Sequence, residues 1–211
     1  PAKEWSWTTH AFGCPGVFVP AMGGSGPDIY ITGCKTIFRH SPDGGDGGTE
    51  TWVEDVVELD SADDVAGIAG TAPDNVWFYL TKAGCPYILR RTPAGYERVV
   101  EGTYNPADGS CQSMDGLLTL GDGYPTVGVG DRIGVAASGE LLVLRQDGKQ
   151  LARIGPAGAG EYAIAYASPL PTVPQGITLQ RVWGGDDGTL WFMTDAESGK
   201  VRWQTVTVDQ T

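Results

Sequence analysis

Four stretches of this chain repeat one another: GSGPDIYITGCKTIFRH (24–40), GTAPDNVWFYLTKAGCPYILRR (70–91), VGDRIGVAASGELLVLRQ (129–146) and GGDDGTLWFMTDAESGKVRW (184–203). Each opens with an Asp-containing turn, runs through aromatic or β-branched residues, breaks at a Gly-rich turn and resumes as an alternating segment. Period-two alternation cut by Gly, Pro, Asn and Asp every six to ten residues excludes helical solenoids and predicts short antiparallel strands.

With Asp28, Asp74, Asp131 and Asp187 as register marks, the repeats are spaced by 46, 57 and 56 residues. Radial β repeats run to about 40–50 residues with four strands each. The chain is therefore expected to be all-β, a small β-propeller of about four four-stranded blades, with residues 156–176 able to conceal a degenerate fifth.

The second repeat shows the blade most cleanly: strand A at VAGIAG (65–70), B at VWFYL (76–80), C at YILRR (87–91) and D at YERVV (96–100). Small residues in strand A suit a crowded centre. Trp77 and Tyr79 fall on one face of strand B and Phe78 on the other, as expected where blades cover both faces. The first blade reads VFVPAM, DIYITG, TIFRH and TWVEDVVE; the third PTVGVG, RIGVAAS, ELLVLR and KQLARI; the fourth LQRVWG, TLWFMT and KVRWQTV, with no clear outer strand. KEWSWTTHAF (3–12) alternates like an outer strand and is expected to complete the fourth blade, the alternative being a free terminal arm. Closing the ring in this way removes exposed strand edges.

The 211 residues carry no Pro/Ser-rich linker or dividing charge run, so residues 1–211 are expected to form one domain. The chain starts at Pro1 without Met, as a processed product or a piece of a longer protein and larger assembly would. A net charge of −12 argues against nucleic acid and anionic lipid as partners, both of which select Lys/Arg clusters. No apolar run approaches the ~20 residues of a spanning helix.

Four cysteines, two histidines and no CxxC disfavour a zinc site and favour disulfides. Cys34 and Cys85 stand at equivalent B-to-C turns; Cys14 and Cys111 lead into A strands. Three pairings are possible, and sequence proximity favours Cys14 with Cys34 and Cys85 with Cys111, with free thiols as the alternative. Two bridges imply a periplasmic, surface-attached or secreted location.

GTAPDNVW (70–77) and GSGPDIY (24–30) resemble the repeats of bacterial extracytoplasmic propeller proteins, and DDGTLWFMTDAESGKVRW (186–203) resembles that of periplasmic two-component-sensor propellers. Asp186, Gly188 and Trp191 keep the frame of the Asp-box of sialidase-like repeats, with Leu190 in place of its Thr and Gly184 in place of its Ser/Thr. The resemblance implies a propeller fold and a structural Asp turn whose carboxylate caps backbone amides. It says little about activity.

No catalytic constellation emerges. His10 and His40 stand in no nucleophile elbow, a sialidase-type arginine triad needs a longer chain, and the Gly-rich runs lack a phosphate cradle's Lys and helix. SPDGGDGGTE (41–50) places Asp43, Asp46 and Glu50 on a flexible backbone that could wrap calcium, though the spacing departs from an EF-hand and an ordinary long turn fits as well. Residues 101–116 and 156–176 are read as long D-to-A connections on the cysteine-bearing rim, offering Tyr104, Asn105, Asp108, Tyr162 and Tyr166 as a recognition surface. The expected function is a non-catalytic binding or scaffold domain for a protein or glycan at the cell surface. The alternative is a lectin or a carbohydrate-active enzyme of sialidase-like type.

Overall fold

The computed structural model describes residues 22–25, 28–33, 36–41, 51–55, 64–115, 124–125, 131–145, 151–158, 161–167, 178–184, 189–195 and 201–206. Among them there is no helix, and the strands form four antiparallel meander sheets. Sheet one is β1 (Met22–Ser25), β2 (Asp28–Gly33), β3 (Thr36–Ser41) and β4 (Thr51–Asp55). Sheet two holds β5 (Asp64–Ala72), β6 (Asn75–Lys82), β7 (Cys85–Thr92), β8 (Gly95–Asn105), β9 (Ser110–Asp115) and β10 (Tyr124–Pro125). Sheet three is β11 (Arg132–Val135), β12 (Leu141–Leu144), β13 (Leu151–Gly158) and β14 (Glu161–Ala167). Sheet four is β15 (Thr178–Gly184), β16 (Leu190–Asp195) and β17 (Val201–Val206).

The first strands touch in chain order, β1 on β5, β5 on β11 and β11 on β15, which gives a propeller-like stack around the inner strands. Small residues make that approach possible. A Cβ at Gly67 would stand 2.7 Å from Ile133, one at Gly184 2.6 Å from Ala136, and one at Gly134 would overlap the Val182 carbonyl.

The cores lie between sheets, and strand alternation divides them. From β6, Val76, Phe78 and Leu80 join Tyr30 and Ile37 between sheets one and two, while Trp77 and Tyr79 join Leu141, Val143 and Ile154 between sheets two and three. β12 repeats the device, sending Leu142 and Leu144 to meet Val182 and Phe192 of sheet four. A strand apolar on both faces is what burial on both sides requires.

Of the expected strand VFVPAM, residues 17–21 lie outside the described residues, and β1 holds Met22–Ser25. Two expectations are corrected. In the third repeat RIGV is the first strand and LLVL the second. Asp131 is therefore not in an A-to-B turn: it is buried just before β11 and ion-paired with Arg145 at 2.9 Å. The real turn is Ala136–Glu140, closed by the Ala136 amide on the Glu140 carbonyl at 2.9 Å and the Gly139 amide on the Ala136 carbonyl at 2.8 Å. Finally, neither presumed connection is loop throughout. Residues 101–105 and 110–115 make the β8–β9 hairpin, and residues 156–158 and 161–167 belong to the β13–β14 hairpin. EYAIAYA alternates with period two and pairs as such; the Pro-Ala-Gly-Ala-Gly before it hid the strand.

Candidate functional site

Chain direction in a meander puts the β6–β7 turn and the exit from the outer strand on one rim, and the β5–β6 and β7–β8 turns on the other. The β8–β9 hairpin lies on the first rim. β8 pairs with β7 through Tyr87 and Glu101, then continues through Gly102, Thr103, Tyr104 and Asn105 beyond the register of β7. Cys85 and Cys111 form a disulfide with Cα atoms 5.6 Å apart, although β8 lies between their strands. Strands two places apart in a flat sheet would be separated by about 9–10 Å. β8 therefore bends and folds the hairpin over the sheet face. The bend falls at the register shift between Glu101 and Gly102, where a Cβ on Gly102 would stand 2.9 Å from the Cys85 Cβ.

The hairpin tip is held by its own polar groups. The Gly109 amide, at φ 72°, donates to the Asn105 carbonyl at 2.9 Å, and the Ala107 amide to Asn105 Oδ1 at 3.0 Å. Asp108 Oδ1 accepts from the Ser110 hydroxyl at 2.6 Å and amide at 2.9 Å, and these bonds, the hydroxyl's foremost, hold its carboxyl below the usual range. Asn105 and Asp108 thus shape the turn. Tyr104 is left at 43 % exposure, the one exposed large hydrophobic side chain among the described residues. At the hairpin's base, Glu101 bonds Lys82 and, at 2.8 Å, Arg98; the Lys82 bond is the first reason its carboxyl lies below the usual value.

Tyr162 stands elsewhere. It pairs with Pro156 beside the β13–β14 turn, on the opposite rim. Its side chain is buried in the seam between sheets two and three, where the hydroxyl donates to Glu97 at 2.7 Å and accepts from Arg90 at 2.8 Å. Arg90 lies 5.2 Å from the Trp77 ring and 5.7 Å from the Tyr162 ring, and its Nε donates to Asn75 Oδ1 at 2.9 Å. The Trp77 indole and the Asn75 amide both donate to the Gly139 carbonyl, at 2.8 and 3.2 Å. Burial, first among several influences, pushes the Tyr162 hydroxyl above its ordinary pKa. The Tyr162 hydroxyl, the Trp77 indole, the Asn75 amide and the Arg90 Nε and Nη1 all find partners at the seam, which makes it a sheet-to-sheet joint.

The structure therefore groups Tyr104, Asn105 and Asp108 and separates them from Tyr162. Tyr166 pairs with Ala152, which returns it to the rim of the hairpin. In the second repeat Asp74 is exposed, and the side-chain bond across the turn is made by Asn75, which donates to Thr71 Oγ1 at 2.8 Å. Cys14, Cys34, Asp43, Asp46 and Glu50 lie outside the described residues. Among the described residues no three His, Cys, Asp or Glu side chains converge as a metal site, and no helix is long and apolar enough to cross a membrane. The row Trp77–Arg90–Glu97, directly opposed across β6, β7 and β8, was missed in the sequence. The two tight turns TKAG and TPAG fix that register and could have exposed it.

No family model matches this chain, and no curated protein does. Among solved structures it is similar to two forms of virginiamycin B lyase from Staphylococcus aureus. One is a catalytically inactive form with quinupristin (18 % identity, TM-score 0.40, covering 87 % of this chain and 54 % of that one). The other is a selenomethionine-substituted form (16 %, 0.43, 90 % and 56 %). A streptogramin B lyase gives 15 % identity and TM-score 0.38, covering 90 % of this chain and 69 % of that one. The chain spans about half the length of the virginiamycin B lyase, and at these scores the likeness carries no argument about activity.

Proposed function

We propose that this chain is a non-catalytic extracytoplasmic binding or scaffold domain that offers the rim bearing the β8–β9 hairpin to a protein or glycan partner. The observation that carries the reading is the combination at residues 102–111: a hairpin folded over and stapled by Cys85–Cys111, with its turn bonds satisfied internally and one aromatic ring, Tyr104, left exposed. Rigid polar loops presenting an aromatic side chain are a common form of recognition surface. The disulfide is in keeping with an oxidising compartment, and the net charge of −12 disfavours nucleic acid. In this reading the four sheets are the blades of one propeller spanning residues 1–211, and segment 3–12 completes the fourth beside β17.

The test is capture from a native cell-surface fraction with the intact chain, alongside a glycan array and a glycoside hydrolase panel. A specific surface protein or glycan retained without turnover supports the reading. Turnover of any glycoside would replace it with a carbohydrate-active enzyme, and saturable binding of a free sugar alone would make the domain a lectin.

A further inference from the structure

Outer strands of a sheet are templates for pairing unless charge, proline or a covering segment blocks them. Among the described residues the other outer edges are guarded: β4 ends in Glu54 and Asp55, the outermost strand of sheet two, β10, includes Pro125, and β17, beside which the reading above sets segment 3–12, contains Arg202. β14 differs. It runs seven residues from Glu161 to Ala167, has no proline, lysine or arginine, and has its only charge at the first position. Among the described residues nothing pairs with the edge that faces away from β13.

The central residues of β14 read Tyr-Ala-Ile-Ala-Tyr (162–166), the same in both directions. Two such strands laid antiparallel about a two-fold axis at Ile164 place position 162 against 166 of the second copy, 163 against 165, and Ile164 against its own equivalent. Glu161 then faces position 167, an alanine, so the one carboxylate in the strand never meets itself. A two-fold interface requires this kind of self-complementarity. Backbone pairing along the edge also leaves the seam intact, because the Tyr162 side chain is already committed to Arg90 and Glu97 while Ala163 is exposed.

From this edge we infer that the chain forms a two-fold homodimer, the two copies joining their four-stranded third sheets through β14 in the register centred on Ile164. Because each copy carries a net charge of −12, the association strengthens as salt screens their repulsion.

Light scattering coupled to size exclusion, with sedimentation across a wide concentration range, tests this on the intact chain. The expected result is twice the chain mass, with tighter association at higher salt. The double variant A163K/A165K puts lysine opposite lysine at both flanking pairs and should be monomeric with melting unchanged. A163K/A165E puts lysine opposite glutamate in the same register and should restore the dimer. A monomeric wild-type chain, or a dimer that survives A163K/A165K, overturns the inference. Should the lysine pair impair folding, hydrogen exchange of amides 161–167 in the wild type decides: protection that rises with protein concentration supports the dimer, and protection independent of concentration overturns it.

Discussion

The second sheet places aromatic residues at its two ends and uses them in opposite ways. On the seam side, Trp77 and Tyr162 of the neighbouring sheet enclose Arg90; the indole bonds the Gly139 carbonyl, the guanidinium bonds Asn75 and Tyr162, and the Tyr162 hydroxyl bonds Glu97. On the hairpin side, Asn105 and Asp108 spend their side chains on the turn and leave the Tyr104 ring open to solvent. Buried polar groups must be satisfied, since an unmet donor costs about 1–3 kcal/mol. A cluster whose donors and acceptors are turned toward one another serves packing first. A tip whose hydrogen bonds are local can be rigid and still present an unused surface. In the proposed reading the seam holds the fold and the hairpin receives the partner.

The largest effect should come from the seam. Trp77→Ala removes a fully buried ring, the bond to Gly139 and the platform under Arg90, and should cost about 3–5 kcal/mol in denaturant unfolding. A loss below about 1 kcal/mol would mean that sheets two and three are not joined there.

Next comes the staple. Cys85 and Cys111 are 26 residues apart, a loop worth about 3 kcal/mol in the chain-entropy model. Replacing both by serine should lower stability by about that amount and speed amide exchange in 102–115 more than in β6. Uniform acceleration across the sheet would show that the bridge stabilises the whole blade, with no selective hold on the hairpin.

Acid should produce a smaller, graded loss. Glu101, held low by Lys82 and Arg98, and Glu140, held low by Ser138 and Arg153 against the opposing pull of burial, both have depressed values in the folded chain. Their contribution is present above the ordinary glutamate range of about pH 4.3 and is lost as pH falls through the folded values. Melting temperature should be flat above that range and drop below it, with a shallower drop in Glu101→Gln. An identical acid limb in that variant would remove Glu101 from the cause.

How far the sequence carried this depended on where the residues point. β6 is legible because burial on both faces forces a run such as VWFYL, and the small residues of β5 because a neighbouring strand leaves no room for a Cβ at Gly67. The third repeat misled because Asp131 imitates a turn residue in sequence while its carboxylate is buried against Arg145, a distinction only tertiary pairing makes. The glycines and proline before β14 disguise that strand, so the sequence alone makes Tyr162 a loop residue. The pairing of Cys85 with Cys111 followed from proximity, but the fold-over of the hairpin that permits it did not, since the bend at Gly102 is a matter of register.

The most direct test sets Tyr104→Ala beside Tyr162→Phe in one experiment, measuring melting and capture of the surface partner for each. Tyr104→Ala should leave stability within about 0.5 kcal/mol and abolish capture. Tyr162→Phe, which takes the hydroxyl from between Arg90 and Glu97, should cost about 1–3 kcal/mol and leave capture intact. Capture that survives Tyr104→Ala, or that is lost with Tyr162→Phe while melting is unchanged, would contradict the division of the molecule into a structural seam and a binding hairpin.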